Sequence, residues 1–173
     1  MTFSFLKPTL LVATLALAAC SQGGLNGDVD GTGAGAGAGA NGIGTGGVND
    51  PTSPAYFNSV VGDRVLFAVD QSTLSSEAQG VLAGQAQWLL SNPEFTALIE
   101  GHADEQGTRE YNLALGARRA ASVREYLVSQ GVPDSRLRTI SYGKERPLQI
   151  CSTEACYSQN RRAVTVISAG LGA

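Results

Sequence analysis

Glycine is unevenly placed in this chain: 12 of its 22 glycines fall between Gly23 and Gly47. Within that stretch Gly33 to Ala40 runs as a strict Gly-Ala repeat. Such a segment has no side chains able to offset the entropy of ordering it, so it limits where a core can form. Two readings are available, a silk-like stacked strand and a flexible tether. Eight residues in a single copy favour the tether. Removing this stretch and the apolar segment before it leaves roughly 112 residues, Phe57 to Ser168, the size of one domain. With 43% apolar and 16% charged residues, a packed core is within reach. The formal charge of −3 argues against nucleic acid as a partner.

The N-terminal segment carries one cation, Lys7, then an apolar run from Leu10 to Ala19 broken only by Thr14. It is shorter than the roughly 20 residues that span a bilayer and reads as the apolar part of an export signal. Leu17-Ala18-Ala19 leads directly into Cys20, a pattern that resembles the bacterial lipobox. That resemblance implies lipidation of Cys20 and cleavage before it. Residues 1–19 are then a signal peptide, 20–55 a lipidated cysteine with its tether, and 56–173 the folded domain. Ser21, where an Asp would retain such a protein at the inner membrane, favours the outer membrane, with the domain in the periplasm. Acyl chains buried at about 0.8 kcal/mol per CH₂ make a stable anchor. The tether has a mean span of roughly 30 Å.

The rest of the chain alternates strand and helix signals. Arg64–Val69, Thr96–Glu100, Arg138–Tyr142 and Arg162–Ile167 are β-like. Ser76-Glu77-Ala78-Gln79 fits a capping box and opens a helix to about Ser91, stopped by Asn92-Pro93. A second helix runs from Thr108 to about Gln130, with Gly131 at its end. This alternation predicts an α/β layered domain, an α+β sandwich with helices packed on one side of a small four-stranded sheet.

The second helix has two faces of interest. At about 100° per residue, Thr108, Asn112, Leu115 and Arg119 fall on one edge. Leu113, Gly116, Ala120, Val123 and Leu127 form the expected core face beside it. The edge thus presents a hydroxyl, an amide, an apolar group and a guanidinium in a line. By itself such an edge is ordinarily a solvated flank. Asp104, in the loop before the helix, changes that, because a loop folded back over the helix brings a carboxylate to Arg119.

Several separated blocks carry a resemblance. Glu100 to Thr108 (EGHADEQGT), Tyr111-Asn112-Leu113 and Leu115 with Arg118-Arg119-Ala120 resemble the signature of the peptidoglycan-binding OmpA-like domain family. Val65-Leu66-Phe67 with Asp70, Ser141 to Glu145 with Pro147, and Asn160 to Val164 extend the likeness over about residues 57–168. Lipobox, tether and domain together are similar to the peptidoglycan-associated lipoproteins. Ala68 and Arg109 depart from residues common in the family, and the Gly-Ala tract and the pair Cys151/Cys156 are not general features of it. The resemblance implies a mixed sheet and non-covalent binding to the diaminopimelate of the wall peptide. It further implies a link between outer membrane and cell wall within a Tol–Pal system, with TolB as partner and a role in envelope integrity and cell division.

That ligand gives the edge a chemical sense. Diaminopimelate ends in a zwitterion, an ammonium and a carboxylate on one carbon, so its recognition needs an anion and a cation side by side. By resemblance Arg119 takes the carboxylate, for which its planar fork is suited, and Asp104 takes the ammonium. Thr108 and Asn112 support the loop or bond the ligand. Leu115 and Phe67 supply apolar walls, and Asp70 stands at the rim.

Enzyme readings find little footing. His102 is the only histidine, and with Asp104 it makes a His-x-Asp pair lacking a nucleophile. No hydrolase, zinc-protease or phosphate-loop motif is present. No cofactor or metal is called for, and two cysteines make a poor metal site. Cys151 and Cys156, in an exported domain, are expected to form a local disulfide across the Pro147–Ser158 loop. Two other readings stay open: an OmpA-like accessory lipoprotein of another envelope complex, and a cell-wall hydrolase.

Overall fold

A computed structural model describes residues 47–170. The expected signal peptide, Cys20 and most of the tether lie outside the described residues. The chain packs earlier than the boundary at residue 55 implies, because the Trp88 indole donates to the Pro51 carbonyl at 2.8 Å and Ser53 is buried.

A helical segment unannounced by periodicity comes first. It comprises α1 (Pro54–Tyr56), continued by a π-helical stretch, Phe57–Gly62. The Ser53 hydroxyl caps it by accepting from the Tyr56 amide. Then follow β1 (Arg64–Leu66), α2 (Ser76–Ser91), β2 (Phe95–His102), α3 (Arg109–Ser129), a 3₁₀ turn (Asp134–Arg136), β3 (Leu137–Gly143), α4 (Glu154–Asn160) and β4 (Arg162–Ala169). The strands lie in the order β1-β4-β2-β3. β4 runs antiparallel to both β1 and β2, while β2 and β3 are parallel and joined through α3. The expected mixed four-stranded α/β sheet is therefore present.

Burial alternates along β2, with Phe95, Ala97 and Ile99 in the core and their neighbours less covered. The core joins this face to α2, α3 and the N-terminal segment. Phe57, Trp88 and Phe95 form a chain of tilted rings with centroids 4.9 and 5.1 Å apart. At about 25 cal/mol per Å² of apolar area removed from water, such side chains supply the main stabilising term. Buried Gln85 is satisfied, since it donates to Gly62 O at 2.7 Å and accepts from the Thr165 hydroxyl at 2.8 Å.

The crossing of α3 over β2 depends on two glycines. A Cβ on Gly101 would lie 1.8 Å from the Gly116 carbonyl oxygen, and one on Gly116 would lie 2.8 Å from Gly101 O. Nothing larger than hydrogen fits at either position, and this close approach seats the helix beside the strand end that leads to the Asp104 loop.

Three local expectations need correction. β1 stops at Leu66 instead of Val69, because the Ala68 and Gln71 carbonyls turn inward to accept from Arg119. The cap of α2 is Ser75, whose hydroxyl accepts from the Ala78 amide, so the box beginning at Ser76 is out of register by one. On α3, Leu113 is exposed, whereas Asn112, Leu115 and Arg119 join Gly116, Ala120, Val123 and Leu127 in the buried set. The buried face is wider than the wheel implied, since β3 and the loops on both sides also cover it.

Candidate functional site

The site forms where β1 and β2 run out above α3. Thr108 caps α3 by accepting from the Tyr111 amide, which fixes where the preceding loop must end. Asn112, one turn in, donates to Gln106 O at 2.7 Å. Lys144 donates to Gly107 O at 2.7 Å, and the buried Asn160 amide donates to the Glu105 carboxylate at 2.8 Å. The 103–108 loop is thus held from three directions. Its left-handed residue, with φ of 89°, is Gly107.

Arg119 organises the other wall. It is 0% exposed, and three of its five N–H groups go to backbone carbonyls: Nε to Gln71 O at 2.8 Å, Nη1 to His102 O at 2.8 Å, and Nη2 to Ala68 O at 3.1 Å. The Phe67 ring centroid lies 5.2 Å from its Cζ. Burial pulls this guanidinium down to about 10, while Asp104, Asp70 and Tyr111 pull it the other way. It is therefore a cation at neutral pH. Arg136 also spends its fork on carbonyls, those of Leu89, Asn92 and Phe95. What sets Arg119 apart is that its charge feels the carboxylates of Asp104 and Asp70, opposed by the cation of Arg161.

Asp104 is 8% exposed, and its Oδ1 accepts from the Gln106 amide at 3.2 Å. Its other oxygen meets a group that motif reading gave no role: Arg161 Nη1, at 3.2 Å. Arg161 also donates to Phe67 O and to both oxygens of Glu154, which holds the Glu154 carboxyl below its usual range. The sequence signal for Arg161 was its place in the Asn160-Arg161-Arg162 block. Asp70 adopts a left-handed backbone, φ 55°, and accepts from the Tyr111 hydroxyl at 3.3 Å.

The structure links Phe67 to Arg119 through its ring and to Arg161, the partner of Asp104, through its carbonyl, while Asp104 and Asp70 act on Arg119 through their charges. Thr108 and Asn112 act on the loop, and Leu115 is buried on the same helix edge. The arrangement holds opposite charges under limited solvent access, and it suits a small ligand that carries both signs. Cys151 and Cys156 are bonded, with Cα atoms 5.9 Å apart. Among the described residues no three His, Cys, Asp or Glu side chains gather as a metal site. A depression of about 260 Å³ lies elsewhere, between β1 and the start of α2, lined by residues such as Leu66, Ser75 and Glu77. No buried charged side chain lines it.

The OmpA family model matches residues 66–161. A peptidoglycan-associated lipoprotein of Rhizobium meliloti is 54% identical over 91% of this chain and 84% of its own length. One from Legionella pneumophila is 41% identical over 96% and 97%. The crystal structure of the peptidoglycan-associated lipoprotein from Burkholderia pseudomallei, 41% identical, superposes with a TM-score of 0.62 over 70% of this chain and 98% of that one. The C-terminal domain of Helicobacter pylori MotB, 19% identical with a TM-score of 0.59, shares the fold. The chain belongs to the OmpA family and, within it, to the peptidoglycan-associated lipoproteins.

Proposed function

We propose that this protein is an outer-membrane lipoprotein, anchored through Cys20, whose periplasmic domain binds peptidoglycan non-covalently and so ties the membrane to the wall. Asp104 takes the ammonium of a diaminopimelate zwitterion in the stem peptide, and Arg119 takes its carboxylate. Thr108 and Asn112 hold the loop, Phe67 and Leu115 wall the site, and Asp70 borders it. TolB is the proposed protein partner within a Tol–Pal system, and the protein acts by binding, not by catalysis.

The observation that carries this reading is that the fully buried Arg119 donates to the His102 carbonyl, two residues before the nearly buried Asp104, so that a guanidinium and a carboxylate share the mouth of two loops. Burial strengthens each charge's interaction with a ligand, because less water screens it. A tether lets many such sites act together on one wall, so a modest single affinity suffices.

Co-sedimentation with purified sacculi tests the reading. Free meso-diaminopimelate should release the bound protein. Pimelate, which has both carboxylates and neither ammonium, should not. Release by both compounds alike, or by neither, contradicts the zwitterion assignment.

A further inference from the structure

Arg161 is 4% exposed and shares its guanidinium between two carboxylates of unlike character. Asp104 is nearly buried and meets Nη1 at 3.2 Å. Glu154, whose side chain is 65% exposed, faces Arg161 with both oxygens, one on each terminal nitrogen. This is the forked pairing by which an arginine takes a ligand carboxylate. Arg119 has three of its N–H groups on carbonyls, which leaves one on each terminal nitrogen for the zwitterion carboxylate. The cation beside Asp104 with a solvent-facing side is Arg161, and Glu154 covers that side.

Resting on the zwitterion reading above, we propose that Glu154 is a resident carboxylate on an anion subsite of Arg161, displaced by a second carboxylate of the ligand when Asp104 and Arg119 take the ammonium and carboxylate of the zwitterion. Exchange leaves Arg161 paired throughout, so no buried charge is stranded. The bond given up is the exposed one, and ion pairs of that kind are weak.

The loop around Glu154 fits this role. Residues 147–155 are exposed, with Ile150 90% so, and they add nothing to the core. Yet Cys151 and Cys156 bracket Glu154 and are bonded to each other. The staple therefore fixes where this carboxylate is delivered. A purely structural Glu154, present only to neutralise Arg161, makes the opposite prediction: its loss loosens Arg161 and weakens ligand binding.

The test is titration of the full-length chain in detergent with free meso-diaminopimelate, followed by calorimetry. Glu154→Gln should bind about two- to fivefold more tightly than wild type, since nothing must be displaced. Glu154→Asp, which keeps the charge, should stay near wild type. In an Arg161→Lys background, which lacks the fork, Glu154→Gln should bring no gain. The ¹³C carboxyl signal of Glu154 gives a readout that a structural role would not move: its depressed titration should return to the ordinary range when ligand is saturating. Glu154→Gln binding equal to or weaker than wild type overturns the proposal, as does a Glu154 titration that ligand leaves unchanged. Wild type that binds no diaminopimelate overturns the zwitterion reading itself, a result visible before any variant is compared.

Discussion

The Arg119 guanidinium donates from Nη1 to the carbonyl of His102 at 2.8 Å, tying α3 to the strand end that leads to Asp104. Through Nε and Nη2 it also holds Gln71 and Ala68, at the exit of β1. One side chain thus joins the two segments that form the site. Arg119→Ala removes the cation and strands three inward-facing carbonyls, a loss of about 3–5 kcal/mol. Arg118, its exposed neighbour, points away, and Arg118→Ala should change stability by less than about 0.5 kcal/mol. Urea unfolding of both variants checks the contrast. Equal stabilities would refute the carbonyl-clamp role.

Gly101→Ala should be among the most damaging small changes in the domain. The new methyl would meet the backbone oxygen of Gly116 at 1.8 Å, and backbone cannot swing aside as a side chain does. Overpacking of this kind costs about 3 kcal/mol or more. Gly80, inside α2, has nothing within 4 Å of its would-be Cβ, so Gly80→Ala should stabilise by about 0.5–1 kcal/mol. Thermal melts that ranked the two in the reverse order would contradict the described crossing of α3 and β2.

His102 gives the fold an acid limit. Its ring is 2% exposed, and neither nitrogen has a hydrogen-bond partner among the described residues. Burial first, then the charges of Arg162 and Arg146, lower its pKa from 6.5 to about 4. Glu100 lies 3.6 Å away, too far to hydrogen-bond, and the Tyr142 ring packs 5.6 Å off. At neutral pH the imidazole is uncharged, so its contact with Glu100 is not an ion pair. Below about pH 6.5 the unfolded chain takes up a proton that the fold refuses until about pH 4. Stability from this residue is therefore complete above pH 6.5 and lost as pH falls toward 4, by about 3 kcal/mol at most. Chemical unfolding across that range should show the slope in wild type and a smaller one in His102→Gln. An identical slope in both would assign it to other groups.

Much of this architecture is legible in the sequence. Ser76 to Ser91 reads as a helix from its pattern and its Asn-Pro stop, and the four strands read from their β-branched residues. The phase of α3 was only partly readable. A wheel places Leu113 near the core but cannot know that β3 and two loops cover the Asn112 and Arg119 side instead. β1 looked longer because Ala68 and Val69 suit a strand, and nothing local shows that Arg119, some fifty residues on, captures the carbonyls there. α4 has a short polar sequence, Glu154 to Asn160, with no period to detect. Glu154 and Arg161 follow the end of α3 at Ser129 by 25 and 32 residues, so their meeting with Asp104 belongs to tertiary structure.

The central claim is that Asp104 supplies the negative half of a zwitterion site. Asp104→Asn tests it most directly, because the amide keeps the shape of the carboxylate and removes its charge. Co-sedimentation of this variant with sacculi should weaken at least tenfold, about 1.4 kcal/mol or more, since a desolvated ligand ammonium is left unpaired. Its circular dichroism should stay native, while its unfolding midpoint falls because the buried Arg161 loses a charged partner. A folded Asp104→Asn protein that sediments with sacculi as well as wild type would contradict the account.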